Sequence, residues 1–161
     1  MKMNASDKIL PRDALATKLN QARASGQKIV FTNGCFDILH LGHVRYLSVA
    51  RSHGNILVVG LNSDESVKLI KGDKRPIVEQ SHRAEILAGL WCVDYVTIFD
   101  EADPLALIEW LKPDVLVKGE DWKERDIVGA DVIQKHGGKV IRVPTVPNVS
   151  TSIIIERIKQ R

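Results

Sequence analysis

Cysteine is scarce in this chain: two among 161 residues, Cys35 and Cys92, far apart and with no Cys-x-x-Cys spacing. That scarcity argues against a zinc site or a disulfide framework and for two reduced, partly buried thiols. Long apolar runs are missing too. None reaches the roughly 18 to 20 residues that span a bilayer, and MKMNASDKILPRDALATKL holds no apolar core of signal-peptide length. The chain is therefore expected to stay in the cytoplasm, off the membrane. Its formal charge is only +3, without the dense Lys/Arg stripe of a nucleic-acid binder. A mild positive excess suits an enzyme that handles anionic metabolites. Neither G-x-x-x-x-G-K-[ST] nor G-x-G-x-x-G occurs, which disfavours a kinase and a dinucleotide-dependent oxidoreductase.

What is present is a regular alternation. KIVFTN (28–33), NILVVGLNS (55–63), DYVTIF (94–99), DVLVKG (114–119) and KVIRVP (139–144) are Val/Ile-rich and nearly continuously apolar, as parallel strands buried on both faces are. Segments 43–53, 79–91, 103–111 and 126–136 have helical length and composition between them. Residues 11–25 add a leading helix and 150–160 a closing one, with Pro and Gly at the expected starts and stops. With no repeat or linker, the pattern predicts one α/β domain over 1–161, with 1–27 as a helical lead-in. Its core would be a Rossmann-like, doubly wound five-stranded parallel sheet. Ligands of such sheets bind beyond the carboxyl ends of the strands, where strand order reverses. Four of those loops carry polar or glycine signals: TNGCFDILHLGH, NSDESVKLIKGDKRP, KGEDW and PTVPNVSTS.

In the first loop, Asn33-Gly34 turns the chain off the strand. Gly34 has no side chain to block a phosphate, so the amides of Gly34, Cys35 and Phe36 can face one. His40 and His43 are one helical turn apart, on one face of the entrance to a helix, with Gly42 between them for close backbone approach. Imidazoles there neighbour positively polarised amides and can donate to a phosphate oxygen. Ser150, Thr151 and Ser152 open the last helix with more hydroxyls than capping needs. Lys71, Lys74 and Arg75 cluster after strand two, with Arg83 beyond them.

The run Gly34-Cys35-Phe36-Asp37-Ile38-Leu39-His40-Leu41-Gly42-His43 resembles the G-x-F-D-x-x-H-x-G-H signature of the nucleotidylyltransferase superfamily, in its cytidylyltransferase-like branch. VSTSIIIERI (149–158) is similar to that superfamily's second signature, and the likeness spans residues 28–160. LNSDESVKLIKGDKRP, ILAGLWCVDYV and PDVLVKGEDW further resemble the heptose 1-phosphate adenylyltransferases, and with no sugar-kinase segment in the sequence the stand-alone form is expected. The resemblance implies transfer of AMP from ATP to a sugar 1-phosphate. His40 and His43 would act on the reacting phosphate, and Lys71 and Arg83 would seat the acceptor. Asn33, Gly34, Cys35, Phe36, Asp37 and Gly42 would shape the phosphate loop. Lys118, Gly119, Asp121 and Trp122 would form the base-and-ribose pocket, and Ser150, Thr151 and Ser152 would bind the β- and γ-phosphates. Mg²⁺ would arrive on the nucleotide phosphates, with no protein ligand assigned. A homo-oligomer is implied as well.

Where cytidine-triphosphate-using relatives carry Arg-Thr-x-Gly, this chain reads Thr145-Val146-Pro147-Asn148, which argues mildly against cytidine. The competing expectations are an alcohol-phosphate cytidylyltransferase such as one for glycerol 3-phosphate, a flavin adenylyltransferase for which no isoalloxazine pocket is legible, and a nucleotide-binding module without turnover.

Overall fold

The five Val/Ile-rich runs form the five parallel strands of one sheet, in a computed structural model that describes residues 4–161. The strands are β1 (Ile29–Gly34), β2 (Ile56–Asn62), β3 (Tyr95–Phe99), β4 (Val115–Gly119) and β5 (Lys139–Val143), in spatial order β3-β2-β1-β4-β5. The helices are α1 (Arg12–Ala24), α2 (Leu41–Arg51), α3 (Asp64–Lys71), α4 (Gln80–Ala88), α5 (Leu105–Leu111), α6 (Ala130–Lys135) and α7 (Thr151–Lys159). The fold is the expected Rossmann-like, doubly wound α/β sheet. Met1, Lys2 and Met3, the first residues of the expected lead-in, lie outside the described residues. Two residues of that lead-in join the sheet's edge: Ile9 bridges Val96, and the Lys8 ammonium donates to the Val93 carbonyl at 2.8 Å.

Successive strand side chains alternate between two apolar layers. Val30, Leu57, Val59 and Val117 pack with Leu47 of α2 and Leu87 of α4 on one face. Ile29, Phe31, Val58 and Leu116 pack with Leu15 and Leu19 of α1 and Ile108 of α5 on the other. Burial on both sides explains why the strands read as continuous apolar runs.

Helix boundaries differ from the sequence expectation: α2 begins and ends two residues early and α4 ends at Ala88 instead of residue 91, and three further departures have a local cause. Residues 64–71, expected as loop, are helical: the Ser63 hydroxyl caps α3 by accepting from the Ser66 amide at 3.2 Å. The segment expected at 126–136 becomes α6 only from residue 130, because Gly129 adopts φ +84° and a Cβ there would strike Ile108 at 2.6 Å. The segment at 103–111 starts at Leu105, whose amide donates to Asp103 Oδ1 at 2.9 Å. Among the described residues no helix is long and apolar enough to cross a membrane.

Strand order reverses between β1 and β4, and there the sheet opens. The two strands pair only at Val30–Val115 and Phe31–Leu116. Beyond that point Tyr46 of α2 wedges between them: its hydroxyl sits 2.7 Å from Thr32 Oγ1 and donates to the Val117 carbonyl at 2.9 Å. The splayed carboxyl ends carry Asn33 on one side and Lys118 on the other.

Candidate active site

A cleft of about 570 Å³ lies over the opening between β1 and β4. Asn33, Gly34, Cys35, Phe36, Asp37, His40, Gly42, His43, Lys71, Lys118, Gly119, Asp121, Trp122, Ser150, Thr151 and Ser152 all line it. Arg83 does not line this cleft; the other basic side chain that does is Arg75.

His40 is the N-cap of α2 and His43 lies in its first turn. The His40 side chain makes no capping bond; its ring stacks on that of His43, with centroids 3.8 Å apart and planes at 21°. Nδ1 of each ring is buried without a hydrogen-bond partner among the described residues. Nε2 is thus the nitrogen left to meet a ligand in the cleft. Burial pulls both imidazoles below the ordinary value, His43 to about 4 with a further contribution from His40. Both rings are therefore neutral near pH 7, and each can offer one N–H.

The first loop supports this pair. Phe36 takes φ +43° and its ring meets His43 edge-on at 5.2 Å. A Cβ on Gly34 would approach the Phe36 ring to 3.0 Å, so the missing side chain makes room for Phe36. Asp37, expected at the nucleotide, is 2% exposed and fully engaged within the protein. It accepts from Arg75 Nε at 2.6 Å and from the amides of Ile77 and Val78 at 2.9 and 2.8 Å. These contacts hold its carboxyl below the usual range, against the opposing effect of burial. Asp37 thus anchors the loop after α3 to the first loop.

Arg83 is the clearest departure from expectation. It is 1% exposed, and its guanidinium donates to the carbonyls of Val78, Cys35 and Asn62 at 2.8, 2.5 and 2.9 Å and to Asp64 Oδ1 at 2.8 Å. A fork with five donors suits this convergence of separate carbonyls, which one ammonium could not serve. It locks the loop after β1, the end of β2, the start of α3 and the entry to α4 together. An acceptor phosphate is out of its reach; Lys71 and Arg75 are the cations on that side of the cleft. The Cys35 thiol is pushed up by burial, which keeps it protonated rather than nucleophilic.

Across the cleft, Lys118 donates to Asn33 Oδ1 and lies 5.6 Å from the Trp122 ring centroid, within cation–π range. Gly119 leaves space that the Asp121 carboxylate occupies. The three hydroxyls at α7 separate in role. Ser150 Oγ caps the helix by accepting from the Ile153 amide at 3.2 Å. Thr151 Oγ1 donates to the Ile38 carbonyl at 3.4 Å, tying α7 to the histidine loop. Ser152 makes no hydrogen bond through its hydroxyl among the described residues. Tyr46 was not singled out from sequence, although its spacing of three from His43 puts it on the same helical face.

A parallel sheet split at its switch point, with paired imidazoles facing a hydroxyl-bearing helix start, defines an α/β nucleotidyltransferase. Residues 31–157 match the family model described as cytidylyltransferase-like, and the chain belongs to that family. It is 55% identical over 151 residues to the bifunctional protein HldE of Geobacter metallireducens, covering 94% of this chain and 31% of that protein. With the protein of the same name from Citrifermentans bemidjiense it shares 52% over 155 residues, covering 96% and 32%. The chain thus spans about a third of the length of these curated relatives. Among solved structures, the lipopolysaccharide core biosynthesis protein of Thermoplasma volcanium is 30% identical with a TM-score of 0.59, over 75% of this chain and 98% of that one. A pantoate-β-alanine ligase from Francisella tularensis shares the fold, at 17% identity and a TM-score of 0.59, over 95% of this chain and 79% of that one.

Proposed function

We propose that the chain transfers AMP from ATP to D-glycero-β-D-manno-heptose 1-phosphate, giving ADP-heptose and pyrophosphate for lipopolysaccharide core synthesis. The observation that carries this is the stacked His40–His43 pair sharing one cleft with Ser150, Thr151 and Ser152. The resemblance of three further segments to heptose 1-phosphate adenylyltransferases supports the acceptor, as does the Thermoplasma volcanium relative named for lipopolysaccharide core biosynthesis.

In this reaction an oxygen of the sugar 1-phosphate forms a bond to the α-phosphorus of ATP. The bond from that phosphorus to the β-bridging oxygen breaks, and its electron pair leaves with pyrophosphate. The attacking phosphate is already ionised near neutral pH, since the second pKa of a phosphate monoester is about 6. No general base is required. The obstacle is electrostatic, because two polyanions meet and charge grows on the α-phosphoryl oxygens. Preorganised donors lining the cleft meet that need. His40 and His43 donate N–H groups to the reacting phosphate, the start of α7 receives the β- and γ-phosphates, and Lys71 with Arg75 draws in the acceptor. Among the described residues no three His, Cys, Asp or Glu side chains converge as a metal cage, and Asp37 is already bonded within the protein. The residues lining the cleft supply no cage for a resident Mg²⁺; an ion arriving with ATP would neutralise phosphate charge there, beside the donors of His40, His43 and Lys118.

Incubation with ATP or CTP, each with heptose 1-phosphate or glycerol 3-phosphate, and assay of pyrophosphate tests the proposal. Release with ATP and the heptose phosphate is expected. Release only from CTP with glycerol 3-phosphate would replace both substrates. ATP binding without pyrophosphate from any pair would make the protein a binding module.

A further inference from the structure

Lys118 is 8% exposed, and no carboxylate forms an ion pair with its ammonium among the described residues. Buried charges are costly unless paired. Its one hydrogen bond among the described residues goes to Asn33 Oδ1, a neutral acceptor, so the other N–H groups remain for something else. Burial also pulls this ammonium down to about 8, with Asp121 opposing the shift. Such a cation is set up for an anion that arrives from outside.

Its position says which anion. Lys118 stands at the end of β4, at the switch point, directly before the turn that carries Asp121 and Trp122. The preceding carbonyl, that of Val117, accepts from Tyr46, which follows His43 by one turn on α2. Lys118 is thereby held between the turn of Asp121 and Trp122, on the ribose side of the proposed nucleotide site, and the imidazole pair. In a nucleoside triphosphate the group between ribose and the terminal phosphates is the α-phosphate. We infer that Lys118 is the cationic ligand of the α-phosphate, the phosphorus at which transfer occurs, and not part of the base-and-ribose pocket. Asn33 aims the ammonium, and the Trp122 ring flanks it.

This rests on the nucleotidyl-transfer reading, and calorimetry without any acceptor separates the two. Adenosine, AMP, ADP and ATP are titrated into the protein and into Lys118→Met, and the cytidine series likewise. The expected result is unchanged affinity for adenosine and a similar loss, about tenfold or more, for AMP, ADP and ATP. An equal loss for adenosine would return Lys118 to the base-and-ribose pocket. A loss for ADP and ATP without one for AMP would move it to the terminal phosphates; either overturns the inference. Preference of the unmodified protein for the cytidine series would overturn the adenine assignment while leaving the Lys118 ratios readable. Unmodified protein that binds neither series overturns both. If Lys118→Met does not fold, Lys118→Gln is measured in its place, and failure of both to fold makes the residue structural and overturns the inference.

Discussion

The His40 ring lies against Gly42: a Cβ built on Gly42 would meet Cε1 and Nδ1 of His40 at 3.0 Å. The glycine is needed so that the imidazole can fold back over the helix start and stack on His43. Ala is the better helix former by up to about 1 kcal/mol, so Gly42→Ala is expected to keep or slightly raise thermal stability. The displaced ring should nonetheless cost about tenfold or more in kcat, on the scale of a misplaced catalytic group. Parallel melting curves and pyrophosphate assays read the two effects; loss of stability with unchanged turnover would contradict this role for Gly42.

Removing an imidazole outright should cost more. His40→Ala and His43→Ala are each expected to lower kcat by roughly 100-fold or more, the usual consequence of losing one preorganised donor to transition-state charge. Their circular dichroism should stay native. Unchanged turnover in both would remove the mechanism.

Arg83 should behave differently. Its replacement by Met leaves three carbonyls and Asp64 without their buried donor, and breaking such a network costs about 3 to 5 kcal/mol. Arg83→Lys should recover little, because one ammonium cannot span four acceptors. Urea unfolding is the measurement. A normally stable Arg83→Met whose only defect is a raised KM for the sugar phosphate would put Arg83 back beside the acceptor.

These contrasts mark what was legible in the sequence. The five strands were readable to within a residue at each end because burial on both faces makes them continuous apolar runs, as in Ile29–Phe31 and Val115–Val117. His40, Gly42 and His43 were legible because their spacing is local. Arg83 and Asp37 were expected at the acceptor and in the phosphate loop; the bonds they make within the protein were not legible, because their partners come from segments distant in the chain. The α3 helix was hidden because only Ser66 and Val67 are buried in it, too narrow an apolar stripe to read against its acidic start. Trp91 and Trp110 are 75% and 55% exposed, although a Trp within an apolar stretch of sequence reads as core.

The separated roles of the α7 hydroxyls make a paired prediction. Ser150→Ala removes a helix cap and should lower stability by about 1 kcal/mol. Ser152→Ala removes a hydroxyl with no partner among the described residues, so stability should hold while KM for the nucleotide rises several-fold. Thermal melts and initial rates on the two variants distinguish them. If Ser152→Ala loses stability with its KM unchanged, the hydroxyl belongs to the fold and not to the triphosphate.

His43 makes the stability of the fold depend on pH. Its pKa drops from the ordinary 6.5 to about 4 in the folded protein, chiefly through burial. Between those values the unfolded chain takes up a proton that the folded protein refuses. The stability tied to the neutral ring is thus fully present above pH 6.5 and is lost as pH falls through about 4. The depression bounds the effect at roughly 3 kcal/mol, with less expected because the ring is only partly buried. His40, shifted the same way, adds to the slope. The depressed carboxyls Asp37 and Glu101 are unaffected by the substitution and act mainly below their ordinary values of 3.8 and 4.5. His43→Asn cannot titrate, so its urea midpoint should fall less between pH 7 and pH 4.5 than that of the unmodified protein. Parallel midpoints across that range would mean that the imidazole is solvated in the folded state, and the neutral donor assigned to it would have to be given up.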